Sequence, residues 1–301
     1  MTPAKDVGLV QNYTPGDSNT LQRIVQLAQR NANEIIAGKA AFKSRLEALF
    51  QHGRLLEYAI GTVAHVTTSS DTKHTFSEAD TLSSFTLEDA VNSTADVGLS
   101  FAGCKIDGLA ISLDLDGVLT ANADIVSKTV ATATSVQTAV ISALVALPSF
   151  YASLKTGADG TEATLTNVQK FNVSIRNNLE SIYGYGSRLL TDLQATERHY
   201  EFDFTAAFTS KTEYDLFLGQ AGSPTGTATP TIPSVIFNAN NAVALGSGRR
   251  EFNIDFSNAY YESTSKPSVV KGFIMQDFKG WAKAITSSEC YSVDNISSVN
   301  W

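Results

Sequence analysis

Residues 42–50, FKSRLEALF, and residues 200–208, YEFDFTAAF, decide how this chain is read. In the first, Phe42, Ser44, Leu46, Ala48 and Phe50 alternate with Lys43, Arg45 and Glu47. In the second, Tyr200, Phe202, Phe204, Ala206 and Phe208 alternate with Glu201, Asp203 and Thr205. Successive side chains of a strand point to opposite faces, so this alternation describes strands with one face buried and one face open. Lys43, Arg45, Glu47, Glu201, Asp203 and Thr205 are the candidates for the exposed faces. Each stretch leads into a short helical pattern that stops at a glycine, RLLEYAIG at Gly61 and TEYDLFLG at Gly219, where glycine suits a helix end.

The two stretches belong to one longer repeat. Residues 10–61 align without a gap on residues 168–219 at a constant offset of 158. Val10, Gln11, Asn19, Leu21, Ile24, Arg30, Ala37, Ala48, Phe50 and Gly61 are identical to Val168, Gln169, Asn177, Leu179, Ile182, Arg188, Ala195, Ala206, Phe208 and Gly219. Chance would supply about three or four identities in such a window. The expectation is an all-β chain with short helices, made of two tandem domains, 1–152 and 153–301, that arose by internal duplication.

Outside the repeat, Leu109, Ile111, Leu113 and Leu115 alternate with polar residues up to Asp116-Gly117, after which Leu119, Ala121, Ala123 and Ile125 take over. An Asp-Gly pair between two alternating runs predicts a hairpin. Phe252, Ile254 and Phe256, with the run VVKGFIMQDF after Lys266-Pro267, read as a final strand pair. Residues 21–38, LQRIVQLAQRNANEIIAG, suit a helix by composition, but their repeat partner carries two glycines, so the segment reads as extended. The polar stretches 67–84 and 219–234 read as long loops, and loops of that length are usually functional or ordered by a partner.

Composition narrows the function. With 301 residues, 43% of them hydrophobic, the chain has enough apolar material for a large core. Only 17% of residues are charged, while Ser and Thr number 31 each, a bias towards strands. A net charge of -8 with the 22 basic residues scattered opposes electrostatic nucleic-acid binding. The two cysteines, Cys104 and Cys290, have no ligand spacing and read as free thiols. The start, MTPAKDVGLV, lacks the pattern of a signal peptide. The uncharged stretch from Thr129 to Leu154 is interrupted by Thr, Ser and Gln and falls short of the roughly 20 apolar residues of a membrane span, so no membrane insertion is expected.

Catalytic signatures are sparse. ISLDLDGVLT, residues 111–120, resembles the DxDGxxT motif of haloacid-dehalogenase-type phosphatases, with Asp114 as nucleophile and Asp116 as acid and base. That family needs a buried parallel strand in a βα pattern, and here the segment reads as a DG hairpin with Asp114 towards solvent. The same segment fails as a calcium loop, with Leu119 at the sixth position and Ile125 at the twelfth. His52, His65, His74 and His199 have no metal-binding spacing, although His65 and His74 flank the first polar stretch and could meet in space. No enzyme activity, no cofactor and no metal site are expected.

FNVSIRNNLESIYGYGSR (171–188), followed by TERHYEFDFTAAFTSKTEYDLFLG (196–219), resembles the second half of tail tube proteins from tailed bacteriophages and head-tailed archaeal viruses. HTFSEADTLSSFTLEDAV (74–91) and FAGCKIDGLAISLDLDGVLTANADIVSKT (101–129) resemble the first half. The resemblance implies a β-sandwich tube domain with a flanking helix, in a virion structural protein whose rings stack into a hollow tail tube that conducts viral DNA. Six tube domains per ring is the family's usual count, so two domains per chain imply a homotrimer with pseudo-sixfold symmetry, or a homohexamer if the second half is built differently. The implied partners are further copies of the chain, other tail proteins at the tube ends, and double-stranded DNA passing without specific binding. The implied location is the virion tail, assembled in the host cytoplasm. The polar stretches 67–84 and 219–234 are candidates for contacts between stacked rings, with Asp71, Lys73, His74, Glu78 and Asp80 in the first, and an acidic lumen would repel the phosphates of DNA. A β-rich receptor- or carbohydrate-binding module is the alternative that shares this composition and duplication.

Overall fold

The computed structural model describes residues 5, 7–25, 27, 30–68, 71–91, 97–133, 145–157, 160–207, 212–218, 234–245, 248–265, 268–270, 273–285 and 290–294. The first half contributes β1 (Leu9–Ile24), β2 (Glu34–Leu49), α1 (Arg54–Ile60), β3 (Gly61–Thr68), β4 (Asp71–Glu78), β5 (Phe85–Val91), β6 (Val97–Asp114), β7 (Thr120–Ser127) and β8 (Thr129–Ala133). The second contributes β9 (Ser153–Gly157), β10 (Ala163–Thr164), β11 (Val168–Arg176), β12 (Leu179–Tyr183), β13 (Leu190–Ala195), β14 (His199–Ala207), α2 (Thr212–Leu218), β15 (Ser234–Leu245), β16 (Gly248–Phe256), β17 (Ala259–Thr264), β18 (Ser268–Val270), β19 (Phe273–Ala282) and β20 (Tyr291–Asp294).

Two antiparallel sheets pack face to face. The larger runs β1-β2-β7-β6-β11-β14-β19-β17, with β5, β8 and β18 attached beside it, and the smaller runs β10-β9-β15-β16-β20-β4-β3. Both alternating stretches of the sequence lie in the larger sheet. There Leu46, Ala48, Phe202 and Phe204 point inwards, because burying an aromatic or leucine side chain is worth about 1.5–3 kcal/mol. The two layers meet through aromatic pairs, Phe171 on Phe237 with centroids 4.2 Å apart, Phe50 on Phe252 at 4.6 Å and Phe202 on Phe256 at 5.9 Å. Both sheets draw strands from before and after residue 152, and one cluster of buried side chains serves both halves.

The pairing register recurs along the large sheet. In β1–β2, Val10 faces Ala48 and Tyr13 faces Leu46, with an irregularity between Val10 and Asn12. In β11–β14, 158 residues on, Val168 faces Ala206 and Phe171 faces Phe204, with the irregularity between Val168 and Lys170. A second correspondence holds at an offset of 155. The irregularity of β6 against β7 falls between Ile106 and Gly108, and that of β17 against β19 between Tyr261 and Ser263. Thus β1-β2-β7-β6 and β11-β14-β19-β17 match strand for strand, and α1 and α2, also 158 apart, follow at the same place.

Several expectations change here. Phe252–Phe256 and VVKGFIMQDF do not form a pair: β16 lies between β15 and β20 in the smaller sheet, and β19 lies between β14 and β17 in the larger. The stretch 67–84 is not a long loop. Most of it belongs to the hairpin β3–β4, in which His65 faces His74, and only residues 79–84 connect onwards. The second expected loop lies outside the described residues up to Ser234, as do Phe208 and Gly219. The segment 21–38 is extended at both ends, in β1 and β2. The DG hairpin forms as expected, Gly117 donating its amide to the Asp114 carbonyl at 3.0 Å. Asp114 and Asp116 are exposed, at the tip of an antiparallel hairpin rather than on a buried parallel strand.

Candidate assembly surface

The face of the large sheet that points away from the sandwich is mostly polar, broken by Val126 under the β12–β13 hairpin and by half-buried Trp281. Residues opposite one another trace rows across it. Arg45 faces Asp124, which faces Gly108, which faces Arg176. Glu47 leads by the same steps to Asn122, Ala110, Ser174, Glu201 and Trp281. The six exposed-face candidates therefore share one face of one sheet, Lys43, Arg45 and Glu47 on β2 and Glu201, Asp203 and Thr205 on β14. Lys43 and Arg45 are exposed and the other four half-buried.

Neighbouring strands satisfy much of this face. Asn172 donates to Asp203 at 2.8 Å, Thr205 donates to Asp277 at 2.6 Å, and Arg176 lies 3.8 Å from Glu201. The acidic groups Glu47, Asp114, Asp124, Glu201, Asp203 and Asp277 alternate with Lys43, Arg45, Lys170, Arg176 and Lys279. The face is nearly balanced rather than strongly acidic, because the deficit of bases is spread over the whole chain.

The ring-contact candidates separate in the structure. Asp71 is half-buried at the start of β4. Lys73 holds its ammonium 3.9 Å from the Tyr291 ring centre, and Glu78 accepts the Ile285 amide at 2.8 Å. His74 has no exposed surface and is withdrawn as a surface contact, while Asp80 is exposed in the bend after β4.

His74 instead joins a cluster that no local motif announces. Its Nε2 lies 3.0 Å from Asp294 Oδ1, and its Nδ1 lies 2.7 Å from His65 Nδ1. A ring that donates Nε2–H to the carboxylate keeps Nδ1 as an acceptor, and His65 Nδ1–H is then its donor. Burial, and then the neighbouring His74, holds His65 below the ordinary histidine pKa. A depressed folded-state pKa means that the unfolded chain takes up the proton more readily. The stability this group contributes is complete above about pH 6.5, the unperturbed histidine value, and is lost as the pH falls below it. The melting temperature of the wild type is expected to drop more between pH 7.5 and 5.5 than that of His65→Gln, and equal drops in a thermal melt would reject the assignment.

Among the described residues no cluster of His, Cys, Asp and Glu could hold a metal ion, and no helix is long and apolar enough to cross a membrane. Cys104 and Cys290 are buried free thiols, and burial pushes both pKa values up.

The two-layer antiparallel sandwich leaves the strand edges β1 and β17 at the two ends of its larger sheet. In comparison with known families, the family model described as phage tail tube protein matches residues 15–268, most of the chain. The chain belongs to the phage tail tube protein family. As a tail tube protein it is a structural component of the virion tail, whose partners are its own copies and other tail proteins. No curated protein matches the chain.

Proposed function

We propose that copies of this tail tube protein close edge to edge into rings, and that the rings stack into the hollow tube through which viral double-stranded DNA passes. In this reading the two halves arose by duplication and each acts as one tube unit, so that three chains supply six units to a ring. The observation that carries it is the pairing of β6 with β11, in which Leu109 faces Ile175 and Gly108 faces Arg176. Here the last strand of one four-strand unit meets the first strand of the next. The sheet begins at β1, the counterpart of β11, and ends at β17, the counterpart of β6. Its two ends are therefore the two sides of a joint the chain already contains once. Head-to-tail joining through such unlike edges generates rings when the rotation closes. Pro15, with no amide hydrogen to donate, makes the β1 edge a poorer template for indiscriminate pairing.

The open polar face lines the channel in this proposal. Its alternating charges leave no run of uncompensated Lys and Arg to bind phosphate and release counterions. Ring stacking through the first hairpin falls to Asp71 and Asp80, at the two ends of β4. Assembly takes place in the host cytoplasm, before other tail proteins close the tube ends.

Electron microscopy of the untagged protein tests this. Hollow stacked rings with threefold symmetry and six similar lobes are expected. Rings with six chains would replace the trimer by the hexamer, and discrete solid particles at every concentration would overturn the tube in favour of a binding module.

A further inference from the structure

The second half carries a hairpin, β12–β13, that is laid across the first half, and the first half carries the same hairpin, held at its base by Arg188 on Gly38 and Asn19, with its apolar residues Leu21 and Ile35 exposed. In β12–β13, Leu179 faces Ala195 and Ile182 faces Asp192. In the outer part of β1–β2, Leu21 faces Ala37 and Ile24 faces Glu34, the same pairs at the offset of 158. Their surroundings differ. Leu193 is 1% exposed, packed with Leu190 against Val126 of β7. Its counterpart Ile35 is 58% exposed, and Leu21, the counterpart of Leu179, is 60% exposed.

Four polar contacts fix the covered hairpin on its receiver. Lys128 Nζ donates to Asp192 Oδ1 at 2.7 Å, and the Leu179 amide donates to Asp107 Oδ1 at 2.7 Å. Asn177 Nδ2 donates to the Ile106 carbonyl at 3.0 Å, and Lys105 Nζ donates to the Leu193 carbonyl at 2.7 Å. The receiver β6–β7 has its own counterpart in β17–β19 at the offset of 155. Carried over, Asp192 and Lys128 become Glu34 and Lys283, Asp107 becomes Glu262, and Asn177 becomes Asn19. The chemistry is kept in each of these, and Val126 becomes Trp281, which offers a larger apolar face. Lys105 changes character, to Tyr260, and Leu190 becomes the smaller Ala32.

We infer that the outer strands of the β1–β2 hairpin, residues 19–24 and 34–37, clasp the β17–β19 surface of a second copy of this chain, setting Ile35 on Trp281, pairing Glu34 with Lys283, and donating Asn19 Nδ2 to the Tyr261 carbonyl. The inference rests on the ring reading and names the surface that holds neighbouring chains together. Its occupant is a second copy because Tyr260, Glu262 and Lys283 of the matching surface, beside half-buried Trp281, and Leu21 and Ile35 of the matching hairpin are all exposed on one molecule, with Glu262 held 3.3 Å from Lys279. They cannot meet within it, since β1 and β17 are opposite ends of the same sheet.

Zero-length carbodiimide coupling joins a carboxylate to an amine already in contact, and peptide mass spectrometry locates the bond. On assembled protein, a Glu34–Lys283 link between chains is expected alongside the Lys128–Asp192 link within a chain, which serves as the internal control. Leu21→Asp with Ile35→Asp changes residues exposed in the single chain. It is expected to keep the wild-type melting temperature and to raise the concentration needed for assembly at least tenfold, by the apolar area withheld. If rings form and the control link appears without Glu34–Lys283, the clasp is overturned and the ring stands. If the double variant assembles as readily as the wild type, the clasp is likewise overturned. If the wild-type protein forms no rings at all, the ring reading falls and the clasp with it.

Discussion

Replacing Gly280 by valine is expected to cost at least about 3 kcal/mol of folding stability, the upper end of overpacking penalties. Gly280 lies in β19 directly opposite Phe202 of β14. A Cβ at Gly280 would lie 2.4 Å from Phe202 Cζ and 2.5 Å from the Tyr260 carbonyl oxygen, distances that real side chains do not tolerate. The corresponding pair in the first half is Ser44 opposite Ile125. The two units thus fill one position in opposite ways, small plus large in one and large plus absent in the other. Phe202→Ser alone leaves a cavity and is expected to cost at least about 3–5 kcal/mol.

Combining Gly280→Val with Phe202→Ser reproduces the arrangement of the first half. The double variant should be more stable than the sum of the single losses by at least about 1 kcal/mol, within the range of coupling measured between contacting residues. Recovery will be partial, because the Tyr260 carbonyl is backbone and does not move when Phe202 is trimmed. Chemical denaturation of the four proteins measures the coupling, and strict additivity would show that the two positions do not share the space.

This pair also shows which parts of the fold were legible in the sequence. FKSRLEALF and YEFDFTAAF could be read as strands because their inward residues are mostly apolar and their outward residues polar. The strand β4 hid because its inward residues include Thr72 and His74 beside Phe76, all buried, so its alternation is polar on both faces and looks like a loop. What makes His74 acceptable inside is Asp294, 220 residues away in sequence, and no local pattern carries that information. The polar sheet face was legible from Lys43, Arg45, Glu47, Glu201, Asp203 and Thr205, since alternation fixes sidedness. That both sets lie on the same face of one sheet depends on the β6–β11 pairing, which only the tertiary structure supplies. The exposed apolar residues Leu21 and Ile35 read as ordinary strand residues in the sequence, and they gain meaning only beside their covered counterparts.

Ending the chain before Cys290 is expected to abolish folding, although it removes a single described strand of four residues. That strand, β20, is the last in sequence but lies in the interior of the smaller sheet, with Glu251 of β16 facing Val293 and Thr72 of β4 facing Asp294. Without it, the hairpin β3–β4 from the first half loses its hydrogen-bonded connection to β16, and buried edges are left without partners, at a cost of about 1–3 kcal/mol for each unsatisfied group. The Phe76 amide loses the Cys290 carbonyl it donates to at 2.9 Å. Buried Arg250, whose pKa desolvation lowers and the Asp294 charge raises, loses that favourable charge. Asp294→Asn is milder, because the amide oxygen still accepts from His74 Nε2. The truncated chain should be insoluble or lack a cooperative melt, whereas a peptide spanning residues 290–301, added during refolding, should restore one by filling the same slot. A truncated protein melting within about 2 °C of the full chain would show that β20 does not join the halves. If β20 acts as described, the smaller sheet cannot close until residues 290–294 have been synthesised. In the proposed ring, the strand edges that pair with other copies are then presented on a closed sandwich, which lowers the risk of aggregation through those edges.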